Sequence, residues 1–152
     1  MKTSVDIVVI TLASPLYIGV YENNRLIQTY ESNEQTSDAL PALFDVVLKN
    51  YVPKRLFFAR GPGSFMAIKI SYIFLKTMSI GLQIPLLACD GFALNGSAPI
   101  RAMRNLYFIK ENDTISTVRL DEPVTQPFTL PTLLDVSLFG EETEPLYMLP
   151  AV

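Results

Sequence analysis

The fold of this chain is constrained most by residues 65–82, which would form a helix that is apolar on almost every side. Its polar residues are confined to the stripe that contains Lys69, Ser71, Lys76 and Ser79. A helix that is apolar nearly all round has to be covered nearly all round. One side is therefore expected to pack on a sheet, and the other on a second helix or on another protein chain. A membrane-spanning helix would bury both lysines in hydrocarbon, so we expect a helix of a water-soluble protein.

Shorter segments on both sides of this run indicate the class of fold. β-Branched and aromatic residues predict strands at residues 5–10, 16–21, 25–30, 56–59 and 84–89. Apolar residues at helical spacing predict a helix over 37–50. Ser37 or Asp38 is expected to cap it, with Pro41 in its first turn. The order β-β-β-α-β-α-β predicts a mixed α/β sheet with helices packed on it, the half-domain of the ribonuclease H-like and actin-like ATPase (ASKHA) class.

The pattern weakens in the last third of the chain. Residues 105–109 and 115–120 predict a hairpin, and residues 130–138 predict either a short helix or an irregular segment. We therefore expect an amino-terminal actin-like lobe over 1–98 and a reduced carboxyl-terminal lobe over 99–152.

Composition excludes several kinds of chemistry. The chain has no His and one Cys, which excludes a Ser-His-Asp or Cys-His catalytic site, a His-ligated zinc and an internal disulfide. Cys89 follows an apolar strand and is expected to be a core residue. The net charge of −3 and the pI of about 4.9 disfavour a protein that binds nucleic acid unaided. The first residues do not resemble a signal peptide, and we expect a cytoplasmic protein.

The turn Gly61-Pro62-Gly63-Ser64 has two interpretations. A glycine-rich turn before a helix can hold an anion, because the helix amino terminus offers free N–H groups. Alternatively, Gly61 and Gly63 supply unusual backbone angles for a tight turn and Ser64 caps the helix. The Walker lysine of a phosphate-binding loop does not follow.

The acidic residues do not predict a catalytic site. Asp90 is expected to cap the short segment before Phe92 rather than to bind a metal, and Asp6 is expected to be solvated. We expect no catalytic residue, no metal site and no cofactor.

Three segments of the chain match the pattern of one bacterial family. The longest begins at Gly61-Pro62-Gly63-Ser64-Phe65 and continues through Lys76 to Gly81-Leu82-Gln83-Ile84-Pro85-Leu86. The other two are Thr36-Ser37-Asp38-Ala39-Leu40-Pro41 and Pro145-Leu146-Tyr147-Met148-Leu149-Pro150. Together they resemble the TsaB family, also called YeaZ, of tRNA threonylcarbamoyladenosine biosynthesis proteins.

Several positions depart from the pattern of that family. Thr11 stands where the family has an aspartate, and Ser71 replaces the glycine that closes its signature. Met66, Ala67 and Lys69 replace a threonine, a glycine and an arginine. These changes weaken the case for nucleotide binding and leave both predicted helices intact.

The resemblance implies a non-catalytic partner subunit. Members of the family pair with the catalytic transferase subunit TsaD, which modifies an adenosine in the tRNA anticodon loop, and the ATPase TsaE joins them. The resemblance also implies a homodimer when the protein is alone, and contact with tRNA only through the partner. The partner-binding residues that it places on the two helices are Leu40, Phe44, Phe65, Lys69, Tyr72, Ile73 and Lys76.

Two other functions remain open from the sequence. The first is an actin-like enzyme that binds ATP, for which the turn at residues 61–64 is the only local support. The second is a glycoprotease, a label that related proteins have carried, although the chain lacks a histidine pair for metal and a serviceable nucleophile.

Overall fold

Segments rich in apolar residues form a five-stranded mixed sheet. The computed structural model describes residues 2–124 and 127–148. The strands of this sheet are β1 (Thr3–Ile10), β2 (Leu16–Glu22), β3 (Arg25–Ser32), β4 (Tyr51–Ala59) and β5 (Leu86–Cys89). They lie in the order β3-β2-β1-β4-β5. β1, β2 and β3 are antiparallel neighbours, whereas β4 is parallel to both β1 and β5. The predicted antiparallel arrangement of the first three strands and the predicted mixed sheet are therefore confirmed.

Two helices cover one face of this sheet. α1 (Thr36–Asn50) connects β3 to β4, and α2 (Phe65–Leu82) connects β4 to β5. Parallel neighbours need such crossover connections. Along β1, Val5, Ile7 and Val9 share a core cluster with apolar residues of both helices. Because successive strand residues alternate between faces, Val8 and Ile10 belong to a second cluster on the other face.

A smaller sheet contributes to that second cluster. β6 (Ile100–Met103), β7 (Leu106–Glu111) and β8 (Thr114–Arg119) form a three-stranded antiparallel sheet. Ile100 and Phe108 pair across β6 and β7, and both are buried in the second cluster. The segment that follows returns to the main sheet, where Gly140 and Ala88 exchange two backbone hydrogen bonds at the edge of β5. Residues on both sides of position 98 thus share one core.

The structure corrects several predicted details. α1 begins at Thr36 with Gln35 in the N-cap position and without a side-chain cap, so the caps predicted at Ser37 and Asp38 are wrong. Pro41 lies in the second turn of α1 rather than the first. β4 is longer than predicted because it accommodates Pro53 next to a bulge, where a missing N–H is tolerated. β6 was not predicted, since it is only 4 residues long and includes a charged residue.

The remaining local predictions have mixed outcomes. α2 has the predicted bounds. The hairpin between β7 and β8 is present, with its two turn residues at positive φ. The segment 130–138 is mostly irregular and contains a short 3₁₀ helix, Val136–Leu138. The matched residues Leu149 and Pro150 lie outside the described part of the chain.

Candidate functional site

The outward side of α2 is an exposed apolar stripe. Met66, Ile73 and Ile80 are 58%, 52% and 67% exposed, and they follow one another at intervals of seven residues. Seven residues span about 10.5 Å of a helix and return to nearly the same side. Ile68 and Leu75 on the opposite side of the helix are 1% and 0% exposed, and Leu75 packs in the cluster between the helices and the main sheet, whereas Ile68 belongs to the second cluster. We call Met66, Lys69, Ile73, Lys76 and Ile80 the α2 surface.

The two lysines of the α2 surface give it a positive edge. Lys69 and Lys76 are exposed and also seven residues apart. The Lys69 Nζ atom lies 5.9 Å from the centroid of the Phe65 ring, a cation–π contact. Within residues 2–124 and 127–148, neither lysine has a carboxylate at ion-pair distance. Both charges are therefore available to a molecule that packs on the stripe.

The neighbouring helix exposes the opposite charge. Asp38 and Asp45 lie on the solvent side of α1, again seven residues apart, and Val46 beside them is 40% exposed. Asp45 forms an exposed ion pair with Lys49 at 3.1 Å. The two helices are held together by an edge-on contact between Phe44 and Phe74, with ring centroids 5.2 Å apart. The exposed charges of α1 are thus Asp38 and the Asp45–Lys49 pair, whereas α2 exposes two ammonium groups.

The structure separates the residues that the sequence named as partner-binding. Leu40 and Phe44 are 0% and 1% exposed and belong to the core of the chain itself, so they offer no surface for a partner. Tyr72 is half-buried against the same core. Ile73, Lys69 and Lys76 lie on the α2 surface.

Phe65, at the start of α2, is 39% exposed and stacks on Tyr147 with ring centroids 4.6 Å apart. Sequence reasoning missed Met66 and Ile80. The seven-residue spacing from Ile73 in both directions was the signal that could have found them.

α2 is long and apolar enough to span a membrane. It has 18 residues and a mean hydropathy of 1.4, and 17% of it is buried in this structure. Length and composition are weak evidence for a span, because core helices of soluble proteins have the same properties. In this fold the helix is the connection between two parallel strands, and its inner side is packed on the sheet.

The glycine-rich turn before α2 is shaped by tight packing. Gly61 has φ +125°, and a Cβ atom there would lie 3.1 Å from the carbonyl oxygen of Leu146. Gly63 does not have a positive φ. Ser64 occupies the N-cap position of α2 as predicted, but its side chain makes no capping hydrogen bond. The geometry explains Gly61 by its backbone angle and Gly63 by its close approach to Leu12.

A cavity beside this turn bears on anion binding. It has a volume of about 300 Å³ and lies between the end of β1 and the starts of α1 and α2. Its only charged lining residue is Glu34, a carboxylate that would repel an anion, and its polar lining includes Thr11, Asn33, Gln35 and Ser64. Anion binding by Gly61, Gly63 and Ser64 stays a prediction that this charge disfavours.

Two of the departures from the family pattern contact each other. The Thr11 and Ser71 hydroxyl oxygens are 2.5 Å apart and both side chains are buried. Because Ser71 donates to the carbonyl of Ala67 at 2.8 Å, Thr11 is the donor in the bond between them. This neutral pair joins the end of β1 to α2. The position where the family has an acid therefore holds a hydrogen bond between two hydroxyl groups.

Both carboxylate oxygens of Asp90, at the end of β5, accept hydrogen bonds. Its Oδ1 accepts a hydrogen bond from the Phe92 N–H at 3.0 Å, which confirms the predicted cap of the short 3₁₀ helix Gly91–Leu94. Its Oδ2 accepts one from Lys110 Nζ at 2.6 Å, and this hydrogen bond raises the pKa of Lys110. Both residues line an open cavity of about 450 Å³. The described residues hold no group of three or more side chains that could ligate a metal.

Two further polar residues are buried. Cys89 is 5% exposed. Its burial, and to a lesser extent the negative charge of the neighbouring Asp90, raise the pKa of its thiol to about 12. The expectation that Asp6 is solvated is wrong, because it is 0% exposed. Both of its carboxylate oxygens accept hydrogen bonds from Arg55, each at 2.7 Å.

Comparisons with known proteins identify the fold. No family model and no curated protein matches the chain. Among the solved structures that match it, two have TM-scores of 0.62 and 0.63, at 15% and 16% sequence identity. The first is an uncharacterised protein with similarity to the peptidase YeaZ from Pseudomonas aeruginosa, and the second is YeaZ from the same organism. The matches cover 81% and 84% of this chain and 70% and 72% of those chains. The predicted fold class is thus confirmed, and the chain has the ribonuclease H-like, actin-like fold of the YeaZ structures.

Proposed function

We propose that this chain is a divergent TsaB (YeaZ) protein that acts as a non-catalytic subunit of the tRNA threonylcarbamoyladenosine modification complex. In this proposal it pairs with the catalytic transferase subunit TsaD through the α2 surface, and the ATPase TsaE joins the pair. The complex is cytoplasmic, and the chain needs no cofactor of its own. The YeaZ fold and the sequence motifs at residues 36–41, 61–86 and 145–150 support the choice of family.

The α2 surface is the observation that carries the proposal. Three large apolar side chains exposed at a seven-residue repeat match the spacing by which one helix packs along another. Phe65, at the start of α2, adds a further exposed apolar side chain. A row of exposed large apolar side chains on one helix is typical of a protein interface. The flanking lysines favour a partner helix with acidic residues beside its apolar side chains.

The charges on the helix pair also support a homodimer when the partner is absent. In an isologous dimer the same surface is used twice, so that α1 of one copy can lie beside α2 of the other. Asp38 and Asp45 would then face Lys69 and Lys76 of the partner copy, with the same spacing on both helices. In this proposal, TsaD binds the same surface and displaces the second copy of the chain.

The test is light scattering after size-exclusion chromatography, on the full chain alone and mixed with the TsaD subunit of the same organism. We expect a one-to-one complex that forms at the expense of the homodimer. Ile73→Glu should weaken the complex at least tenfold, about 1.4 kcal/mol, because it places a carboxylate in the apolar stripe.

The matched control is Leu138→Glu. Leu138 is 52% exposed, like Ile73, but it lies near the second core cluster rather than on α2. We expect this variant to bind TsaD as the unchanged chain does. The proposal is contradicted if the unchanged chain forms no complex with TsaD. It is also contradicted if Leu138→Glu weakens the complex as much as Ile73→Glu does.

The alternative of an ATP-binding enzyme makes a different prediction. It requires magnesium-dependent binding of ATP to the chain alone, which equilibrium dialysis with labelled ATP measures. The charge of Glu34 beside the turn and the absence of an acid at Thr11 both weigh against it. A peptidase is weaker still, since the chain has no histidine and burial raises the pKa of its one thiol.

A further inference from the structure

The two sheets end in the edge strands β3, β5, β6 and β8, and the first three of these edges are protected. β5 exchanges two backbone hydrogen bonds with Gly140 through Ala88. β3 is bridged at Arg25 by Leu133, and its pairing with β2 contains a register shift. β6 is only 4 residues long and its register also shifts. Proteins protect edges in these ways because a row of unpaired backbone groups pairs readily with another strand.

The outer side of β8 has none of these protections. β8 pairs with β7 along its whole length of 6 residues without a register shift. Within the described residues, no strand or segment pairs with its other side. β8 contains no proline, and its one charged residue is Arg119 at the end. Thr114, Ser116 and Thr117 are exposed. β8 is therefore a template for one more strand.

The turn before β8 determines which backbone groups lie on this outer side. Asn112 and Asp113 have φ 50° and 65°, the angles of a two-residue type I′ turn. In such a hairpin the flanking residues, Glu111 and Thr114, form a hydrogen-bonded pair, and hydrogen-bonded pairs alternate along the two strands. The even-numbered residues of β8 therefore direct their N–H and C=O groups to β7, and the odd-numbered residues direct theirs outward.

A contact just beyond β8 agrees with this alternation. Leu120 is the next even-numbered residue, and its N–H donates to the carbonyl oxygen of Asn105 at 2.9 Å. The outward groups of β8 thus belong to Ile115, Thr117 and Arg119. We call the N–H and C=O groups of these three residues the β8 edge.

The β8 edge is complementary to itself. If two copies pair antiparallel about a two-fold axis at Thr117, the two Thr117 residues lie opposite each other, and Ile115 of each copy lies opposite Arg119 of the other. Each of these pairs joins outward-facing residues and can exchange both of its hydrogen bonds. Threonine side chains opposite each other are favourable neighbours in a sheet. We propose that two copies of the chain pair through the β8 edge and join their small sheets into one.

The charges near the β8 edge favour a second copy as the added strand. Arg119 of one copy lies diagonally opposite Asp113 of the other, within reach of a long side chain. Asp113 is exposed and lines the same cavity as Ile115, which shares a side of the sheet with Arg119. Pairing about Arg119 instead would bring two guanidinium groups together. The charges thus select the register in which Thr117 lies on the axis.

This inference goes beyond the proposed function and does not rest on the α2 surface. A strand pair of this length buries less surface than a standard protein interface, so the pairing is weak and depends on concentration. We expect a Kd on the order of 100 μM.

The test is sedimentation equilibrium of the full chain with Ile73→Glu, which removes pairing through the α2 surface, from about 20 μM to about 1 mM. We expect a monomer–dimer equilibrium. Adding Thr117→Lys places two ammonium groups opposite each other on the axis and should raise the Kd at least about fivefold. Adding Thr117→Glu should do the same. An equimolar mixture of these two variants should dimerise within about twofold of the Ile73→Glu chain, because opposite charges then face each other.

The matched control is Thr29→Lys, also added to the Ile73→Glu chain. Thr29 is an exposed threonine on the protected edge strand β3. We expect its substitution to leave the Kd within about twofold.

Three results would overturn the inference. The first is an Ile73→Glu chain that stays monomeric at every concentration, which would leave the β8 edge to a strand of another protein. The second is an equal effect of Thr29→Lys and Thr117→Lys, and the third is a mixture of the Thr117 variants that does not recover dimerisation. None of these results depends on TsaD, so a failed inference is distinct from a failed proposed function.

Discussion

At the scale of single residues, most of the buried polar side chains in the described part of the chain are hydrogen-bonded, and the Asn95 side-chain oxygen is the fully buried oxygen there that has no partner. Asp6 is the clearest case, since a carboxylate that is 0% exposed is stable only beside its Arg55 partner. The pair joins β1 to β4 next to the bulge at Val5 and Asp6. The sequence predicted a solvated Asp6 because a charged residue near a strand start is usually exposed. Its partner is 49 residues away along the chain, beyond the reach of any local pattern.

Asp6→Asn should therefore destabilise the fold strongly. The amide cannot accept both hydrogen bonds from Arg55, and it leaves a guanidinium without its counter-charge. We expect the free energy of unfolding to fall by about 3 kcal/mol, measured by urea denaturation. Asp45→Asn is the control, because Asp45 forms an exposed pair that is worth well under 1 kcal/mol. Equal losses in the two variants would contradict this account of Asp6.

At the scale of elements, boundaries were predicted well where a residue type interrupts a pattern. α2 begins directly after a glycine-rich turn, and its bounds agree with the prediction. The side of α2 that is exposed could not be predicted, because apolar residues lie all round the helix and periodicity does not distinguish its faces. Among the candidate residues, Leu40 and Phe44 were misplaced for a related reason: an apolar position on a helix is equally compatible with the core and with an interface.

The start of α1 offers a gain in stability. Gln35 occupies the N-cap position with φ −60° and ψ 144°, but no side chain caps the first turn. Gln35→Asp should supply an acceptor for a free N–H and a charge that suits the positive end of the helix. We expect the free energy of unfolding to rise by about 1 kcal/mol in urea denaturation. Gln35→Ala, which cannot accept a hydrogen bond, should give no gain, and a gain in that variant would refute the capping explanation.

At the scale of the whole molecule, the main sheet is shared between two clusters of buried residues. The helices cover one face, whereas the small sheet and the segment after it contribute the cover of the other. Phe57 of β4 meets Phe139 of that segment, with ring centroids 4.9 Å apart. The sequence predicted two lobes divided after residue 98. The shared cluster leads us to expect that the two parts unfold together.

Phe108→Ala tests this coupling. Phe108 lies on β7 of the small sheet and is 1% exposed, so its removal should lower the free energy of unfolding by about 3 to 4 kcal/mol. If the parts unfold together, far-ultraviolet circular dichroism and tyrosine fluorescence will give one coincident transition at a lower urea concentration. Two separated transitions would instead indicate that the small sheet is an independent domain.

Substitutions on the two sides of α2 are also expected to have different effects and to be compensated by changes in different genes. Changes at Ile68 or Leu75 lower the amount of folded protein, and another change within this chain can compensate for them. Under the proposed function, changes at Met66, Ile73 or Ile80 leave abundance intact and are compensated by changes in the gene of the bound subunit. The buried residues of α2 would thus evolve together with other residues of this chain, and the exposed ones together with residues of the bound subunit.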